Sequence, residues 1–135
     1  GTIYMYYARG GDSLNMSCQG EGNAVLIKSG IPYGDDEDML GMMKKLNPIK
    51  SDGRERTTER LCSGQTLLCK SLALKVPMYD AKEFDENFFM ADAGYKPEGI
   101  ISTVRLGIPK GRDEHLPYRY IDPRFMHATT KPFKP

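Results

Sequence analysis

The richest chemistry in the chain lies in the stretch RLCSGQTLLCKSLALKV, residues 60–76. Cys62 and Cys69 stand there seven positions apart, with Gly64 two after the first. A zinc site needs about four nitrogen or sulfur ligands, usually paired through spacers of about two to four residues. No second cysteine pair follows, and His115 and His127 sit far along a proline-rich tail. A thioredoxin-like redox pair needs Cys-x-x-Cys at a helix start, which is absent. A thiol nucleophile needs a histidine base, supplied here only by those remote histidines. Two readings remain. One is a local Cys62–Cys69 disulfide, with Gly64 permitting the tight turn and a stabilisation of roughly 2.5 kcal/mol for so short a loop. The other is a set of buried, reduced thiols, since free cysteine is among the most buried residue types. Cys18 makes the count odd and is left for pairing with another chain.

Four other groups could carry chemistry. Asp35, Asp36, Glu37 and Asp38 offer oxygen ligands but lack the spaced ligands and glycine of a calcium loop. A solvated acidic run leading into a helix is the simpler reading, and no metal is expected. Arg54, Arg56 and Arg60 could grip phosphate or carboxylate, but Glu55 and Glu59 interleave with them to make a self-neutralised face. Tyr4, Tyr6 and Tyr7 could stack on bases or sugar rings, with packing on an edge strand as the default. The tetrapeptide GDSL at 11–14 matches a serine-hydrolase motif, yet it lies inside an alternating strand pattern, not at a strand-to-helix turn. With no nucleophile elbow, phosphate-binding glycine loop or carboxylate pair beside a histidine, the chain is expected not to be an enzyme and to need no cofactor. Asn15-Met16-Ser17 is an acceptor for N-linked glycan, so Asn15 is the expected glycosylation site.

Positioning these groups falls to one domain of ordinary size. The chain has 135 residues with 19 basic and 18 acidic side chains, so net charge predicts no preference for nucleic acid. No apolar run reaches the roughly 18 residues a membrane span requires. Gly1 is not an initiator residue, so a processed or excised segment is expected. TIYMYY reads as a strand ended by Gly10-Gly11, and SLNMSC and AVLIKS read as a hairpin around a glycine-rich turn. Acids before Met39, Leu40, Met43 and Leu46, lysines after, and Asn47-Pro48 predict a helix over DEDMLGMMKKL. TLLCKSLALKV is expected as a strand buried on both faces and ended by Pro77. AKEFDENFFM could make a helical turn carrying Phe84, Phe88 and Phe89. GIISTVRLGI predicts a strand with Ile100, Val104, Leu106 and Ile108 on one face. The organisation expected is a folded domain over 1–108 and an extended proline-rich tail over 109–135.

Three stretches, LNMSC, AVLIKSGIPYG and RLCSGQTLLCKSLAL, together resemble the galactose- and rhamnose-binding lectin domain of the sea urchin egg lectin type. Leu14, Cys18, Ile27, Tyr33, Gly34, Cys62, Gly64, Cys69 and Ala73 stand at matching places, and the match runs over about residues 3 to 108. The resemblance implies a mostly β fold, an antiparallel β-sandwich with one or two short helices, and a Cys62–Cys69 bridge. Tyr33 and Gly34 carry over from the sugar site, while Asp35 stands where the family has arginine, so the sugar pocket is lost or rebuilt. The expected function is a secreted or cell-surface glycoprotein module that binds a protein partner and no nucleic acid. Its contacts would come from Tyr33, Gly34, Asp35, Arg54, Arg56, Tyr118, Tyr120, Phe125 and Phe133. Alternatives are a carbohydrate-binding lectin and an intracellular structural protein with reduced cysteines.

Overall fold

The computed structural model describes residues 1–8 and 10–130. Strands β1 (Ile3–Ala8) and β2 (Gly11–Ser17) form an antiparallel hairpin in which Tyr4 faces Asn15, Met5 faces Leu14, Tyr6 faces Ser13 and Tyr7 faces Asp12. Gly10 takes the positive φ of 75° that so tight a reversal demands. Strand β3 (Ala24–Leu26) pairs with the other edge of β2. Strand alternation sends Ile3 and Met5 inward, where they meet Leu14 and the helices.

Helix α1 (Glu37–Leu46) forms as its charge order requires. Asp36 caps it by accepting the Met39 amide at 2.9 Å, with Glu37 and Asp38 in the first turn and Lys44 and Lys45 in the last. Asn47 closes the helix and is nearly inaccessible at 1 % exposure. Its Nδ2 donates to Leu61 O at 2.9 Å, to Leu67 O at 3.2 Å and to Ser71 Oγ at 3.2 Å, so one amide ties the end of α1 to the next helix.

The run TLLCKSLALKV is helical, which corrects the expected strand. Helix α2 (Gln65–Ser71) begins after Gly64, whose φ of 133° reverses the chain. Leu68, Cys69 and Ser71 turn inward, and Leu72 just past the helix is exposed. Pro77 does not end a strand. It lies in the first turn of helix α3 (Val76–Tyr79), where a missing N–H costs nothing. The core is Ile3, Met5, Leu14, Met43, Leu61, Cys62, Leu68, Cys69 and Leu74, with α2 laid against β2. Phe88 packs against Tyr79 at a ring separation of 5.7 Å and Phe84 against Phe88 at 5.4 Å, both phenylalanines from an irregular segment, so the expected helical turn does not form there.

The expected Cys62–Cys69 disulfide is overturned as well. Both cysteines are buried free thiols, Cys62 ahead of α2 and Cys69 within it, and Cys18 is an exposed thiol. Burial raises the pKa of Cys62, and burial with the nearby Asp12 charge pushes Cys69 up to about 11. The glycine between the cysteines serves a helix start, not a covalent loop.

A second sheet has two strands, β4 (Ile101–Thr103) and β5 (Arg119–Ile121), paired antiparallel. The long strand expected over GIISTVRLGI shrinks to three residues, with Ile100 and Val104 exposed, because only β5 pairs with it. Residue 109 falls between these two strands. A tight turn over Pro123–Ala128 follows, and Thr129 O accepts from Ser63 Oγ at 2.9 Å and Arg60 Nη1 at 3.2 Å. An antiparallel β-sandwich is therefore not what forms: a three-stranded sheet packs against helices, and a two-stranded piece lies beyond it. Phe133 lies outside the described residues.

Candidate functional site

The β1–β2 hairpin carries aromatic and polar groups in register. Each tyrosine of β1 stands across from a polar residue of β2, and Asp12, Ser13 and Asn15 are all buried. Tyr7 shares the Ile3–Met5 face by alternation, yet it is 68 % exposed, so the core ends before it. Tyr4 is 45 % exposed and its ring lies 5.6 Å from that of Tyr6. Tyr4 and the half-buried Tyr6 thus lie on one face of the hairpin and Tyr7 on the other, with Tyr4 and Tyr7 open to solvent.

The polar side is held by bonds from distant segments. Ser13 Oγ accepts from Gln65 Nε2 at 2.8 Å, and Gln65 Oε1 accepts from Lys28 Nζ at 2.6 Å. Asp12 accepts from the Val76 amide at 3.0 Å and pairs with Lys75 Nζ at 3.4 Å. Asn15 Nδ2 donates to Tyr4 O at 3.1 Å. Gly11, at the hairpin tip, abuts Thr66 so closely that an added Cβ would collide with the threonine side chain. The tip and the first turn of α2 therefore form one rigid unit, with Lys28 and Lys75 beside it.

The residues expected to form a site are scattered over the surface. Tyr33 is 98 % exposed, with Gly34 at φ 88° and Asp35 beside it in an open loop. Arg54 pairs with Asp52 at 2.8 Å, and Arg56 donates to Asn47 Oδ1 at 3.3 Å; both line a shallow groove with Arg60. Tyr118 and Tyr120 are exposed around β5, while the Phe125 ring lies 6.4 Å from Tyr95 with Arg124 over it. No hydrogen bond or ring contact among the described residues joins these three groups. Asn15, expected to carry a glycan, is 4 % exposed with its amide engaged within the hairpin, so that expectation is withdrawn. Among the described residues no group of three or more His, Cys, Asp or Glu is placed to hold a metal ion.

Lys28, Gln65 and Lys75 do not stand out in the sequence. Lys28 and Gln65 are 37 positions apart and Asp12 and Lys75 are 63 apart, so no local pattern flags them. Ser13 and Asp12 fell inside GDSL, and the three tyrosines carried the one usable signal. Exposed phenol faces of this kind are the groups that stack on flat rings.

Comparison with known proteins gives the family. The family model described as methylpurine-DNA glycosylase matches residues 1–124. A candidate 3-methyladenine DNA glycosylase of Pseudomonas aeruginosa is 58 % identical over 135 residues, covering 97 % of this chain and 56 % of the relative. One from Pseudomonas syringae pv. tomato is 57 % identical over 135 residues, 97 % of this chain and 60 % of the relative. The mouse DNA-3-methyladenine glycosylase is 29 % identical over 119 residues, 80 % of this chain and 34 % of the relative. The chain belongs to the methylpurine-DNA glycosylase family. It spans somewhat over half the length of its bacterial relatives.

This membership overturns several expectations. Kinship with rhamnose-binding lectins falls, and with it the reading as a protein-binding or sugar-binding module. The relatives are named as glycosylases, which are enzymes, so the non-enzymatic expectation falls too. The family's name gives DNA as the thing acted on, against the expected absence of nucleic acid among partners. The secreted or cell-surface address rested on the lectin likeness, the glycan site and the disulfide. None of these survives. Among the described residues no helix is long and apolar enough to cross a membrane. Near-zero net charge is a poor guide here because it sums the whole chain and carries no information on where the cations lie.

Proposed function

We propose that the chain engages DNA for a glycosylase reaction that releases a methylated purine, with the β1–β2 hairpin as the element that enters the duplex. The observation that carries this reading is Tyr7, a large ring left open to solvent near the tip of a braced hairpin. A base must leave the helical stack before its bond to the sugar can be reached, and a side chain that takes its place offsets the cost of unstacking. Tyr7 has the exposure for that role. Tyr4 and Tyr6 offer faces on which an extruded base can lie.

The chemistry of the substrate favours such faces. Methylation of a purine ring nitrogen places positive charge on the base and weakens its bond to the sugar. Water then adds at the sugar's C1′ and releases a proton to solvent, as the cationic base departs neutral with the bonding electrons. The negative face of a phenol ring attracts a cationic ring by about 0.5–2 kcal/mol more than a neutral one, which selects the damaged base. Lys28, with Lys75 nearby, supplies positive charge beside the hairpin for phosphate.

The test is fluorescence anisotropy with a labelled duplex carrying one destabilised base pair. Stacking of one base on an aromatic side chain is worth about 1–3 kcal/mol, so Tyr7→Ala is expected to weaken binding about 5- to 140-fold. Tyr7→Phe should stay near wild type. Unchanged affinity for Tyr7→Ala, with the fold intact by circular dichroism, removes the hairpin from the reading.

A further inference from the structure

A second basic feature lies off the hairpin. A groove of about 320 Å³ is lined by Ile49, Arg54, Glu55, Arg56, Thr57 and Arg60. Two acids in and beside it are engaged, Asp52 by Arg54 at 2.8 Å and Glu55 by Lys44 at 3.6 Å, while Glu59 beside Arg60 is exposed and forms no salt bridge among the described residues. Arg56 and Arg60 are held differently. Arg56 donates to Asn47 Oδ1 at 3.3 Å and Pro48 O at 3.4 Å, and Arg60 Nη1 donates to His127 O and Thr129 O, each at 3.2 Å. All four acceptors are neutral. Neither arginine forms a salt bridge among the described residues, so both guanidiniums are held in place by neutral acceptors and not by a carboxylate.

We propose that this groove is a second DNA contact, in which Arg56 and Arg60 grip the phosphate backbone of the duplex that the hairpin enters. The proposal rests on the reading of the chain as DNA-engaging. Guanidinium presents a planar fork that matches phosphate oxygens, and anchoring it beforehand reduces the entropy lost on binding. Lys50 adds charge next to Ile49. Lys70 joins from the last turn of α2, the turn whose Ser71 is bonded to Asn47, the partner of Arg56. Burial, and then the charges of Lys50, Arg56 and Lys75, lower the Lys70 pKa, which places these cations within one another's field.

Helix α2 sets the spacing between the two contacts. Its first turn abuts Gly11 at the hairpin tip, and its last turn reaches Asn47 beside the groove. Seven helical residues span about 10 Å. Each DNA strand presents a phosphate about every 3.4 Å of axis, so a duplex seated on the hairpin carries several phosphates past that length of helix. An acidic peptide lacks this repeat and is the alternative occupant the experiment separates.

The experiment measures duplex affinity of this chain by anisotropy across a potassium chloride series. The proteins compared are wild type, Arg56→Gln, Arg56→Lys, the pair Lys50→Gln/Lys70→Gln, and Tyr7→Ala. Loss of one phosphate contact shallows the slope of log affinity against log salt by about 1, so Arg56→Gln should shallow it by about 1 and the lysine pair, which removes two cations, by about 1–2. Arg56→Lys should recover most of that slope, and Tyr7→Ala should weaken binding with the slope kept. Groove variants with wild-type slope and affinity, beside a weakened Tyr7→Ala, overturn the groove and leave the hairpin reading standing. Failure of the wild-type chain to bind any duplex overturns both. Competition by an acidic peptide that equals duplex of the same charge also overturns the groove as a DNA site. The lysine pair guards against misfolding of the arginine variant, because Lys50 is exposed and Lys70 half-buried.

Discussion

Asn47→Ala should be among the most destabilising single changes in the chain. The amide offers two N–H groups to three acceptors, Leu61 O at 2.9 Å, Leu67 O at 3.2 Å and Ser71 Oγ at 3.2 Å, and its oxygen accepts from Arg56 Nε at 3.3 Å. Alanine removes two to three net hydrogen bonds at about 1 kcal/mol each. The void left at a site with 1 % exposure adds about 1 kcal/mol more. The sum is about 3 kcal/mol, set against a typical stability of about 5–15 kcal/mol. In urea unfolding, with a slope of roughly 1.5 kcal/mol/M, the midpoint should fall by about 2 M. Asn47→Asp should be worse, because it turns an acceptor toward Leu61 O and Leu67 O where a donor stood. A midpoint lowered by less than about 0.5 M for alanine, or raised for aspartate, would refute the assignment of this amide as the tie between α1 and α2.

Two further outcomes follow from the hairpin and the thiols. Gly11→Ala should destabilise by about 1–3 kcal/mol through collision with Thr66, and adding Thr66→Ala should recover part of that loss in thermal melts. Equal losses in the single and double variants count against the close approach. Native protein treated with iodoacetamide at mildly alkaline pH should gain one adduct by mass, at Cys18, and three after denaturation. The Cys69 thiol is raised from 9.0 to about 11, so unfolded chains lose its proton first as pH rises, and stability should decline across that window. A flat denaturation midpoint between those limits would contradict the buried, protonated thiol.

Sequence patterns were readable where local signals are sufficient. Helix α1 announced itself through Asp36, the order of its charges and Asn47-Pro48, all of which act within one turn of the helix ends. The β1–β2 turn was equally clear from Gly10-Gly11. Helix α2 was not readable as a helix, because seven residues give barely two turns of period and its buried positions mimic a strand hidden on both faces. Pro77 had two meanings, end of a strand or start of a helix, and only the packing of α3 decides between them. The spacing of Cys62, Gly64 and Cys69 fitted a lectin turn as well as a helix start, and that coincidence carried the extracellular reading with it. The tyrosines were visible from the outset, but their exposure depends on where the core ends. No single-strand pattern contains that. The groove arginines look self-neutralised in sequence, and in space Arg54 does pair with Asp52, but Glu55 is engaged by Lys44, and Arg56 and Arg60 hold neutral oxygens.

Gly11 and Thr66 touching has a mechanical consequence. A strand loop that ends against a helix cannot be bent backward without moving that helix. Force applied at Tyr7 would travel into α2 and, through Asn47, to the seat of Arg56. Prying at one end and holding at the other would then load the same short rod.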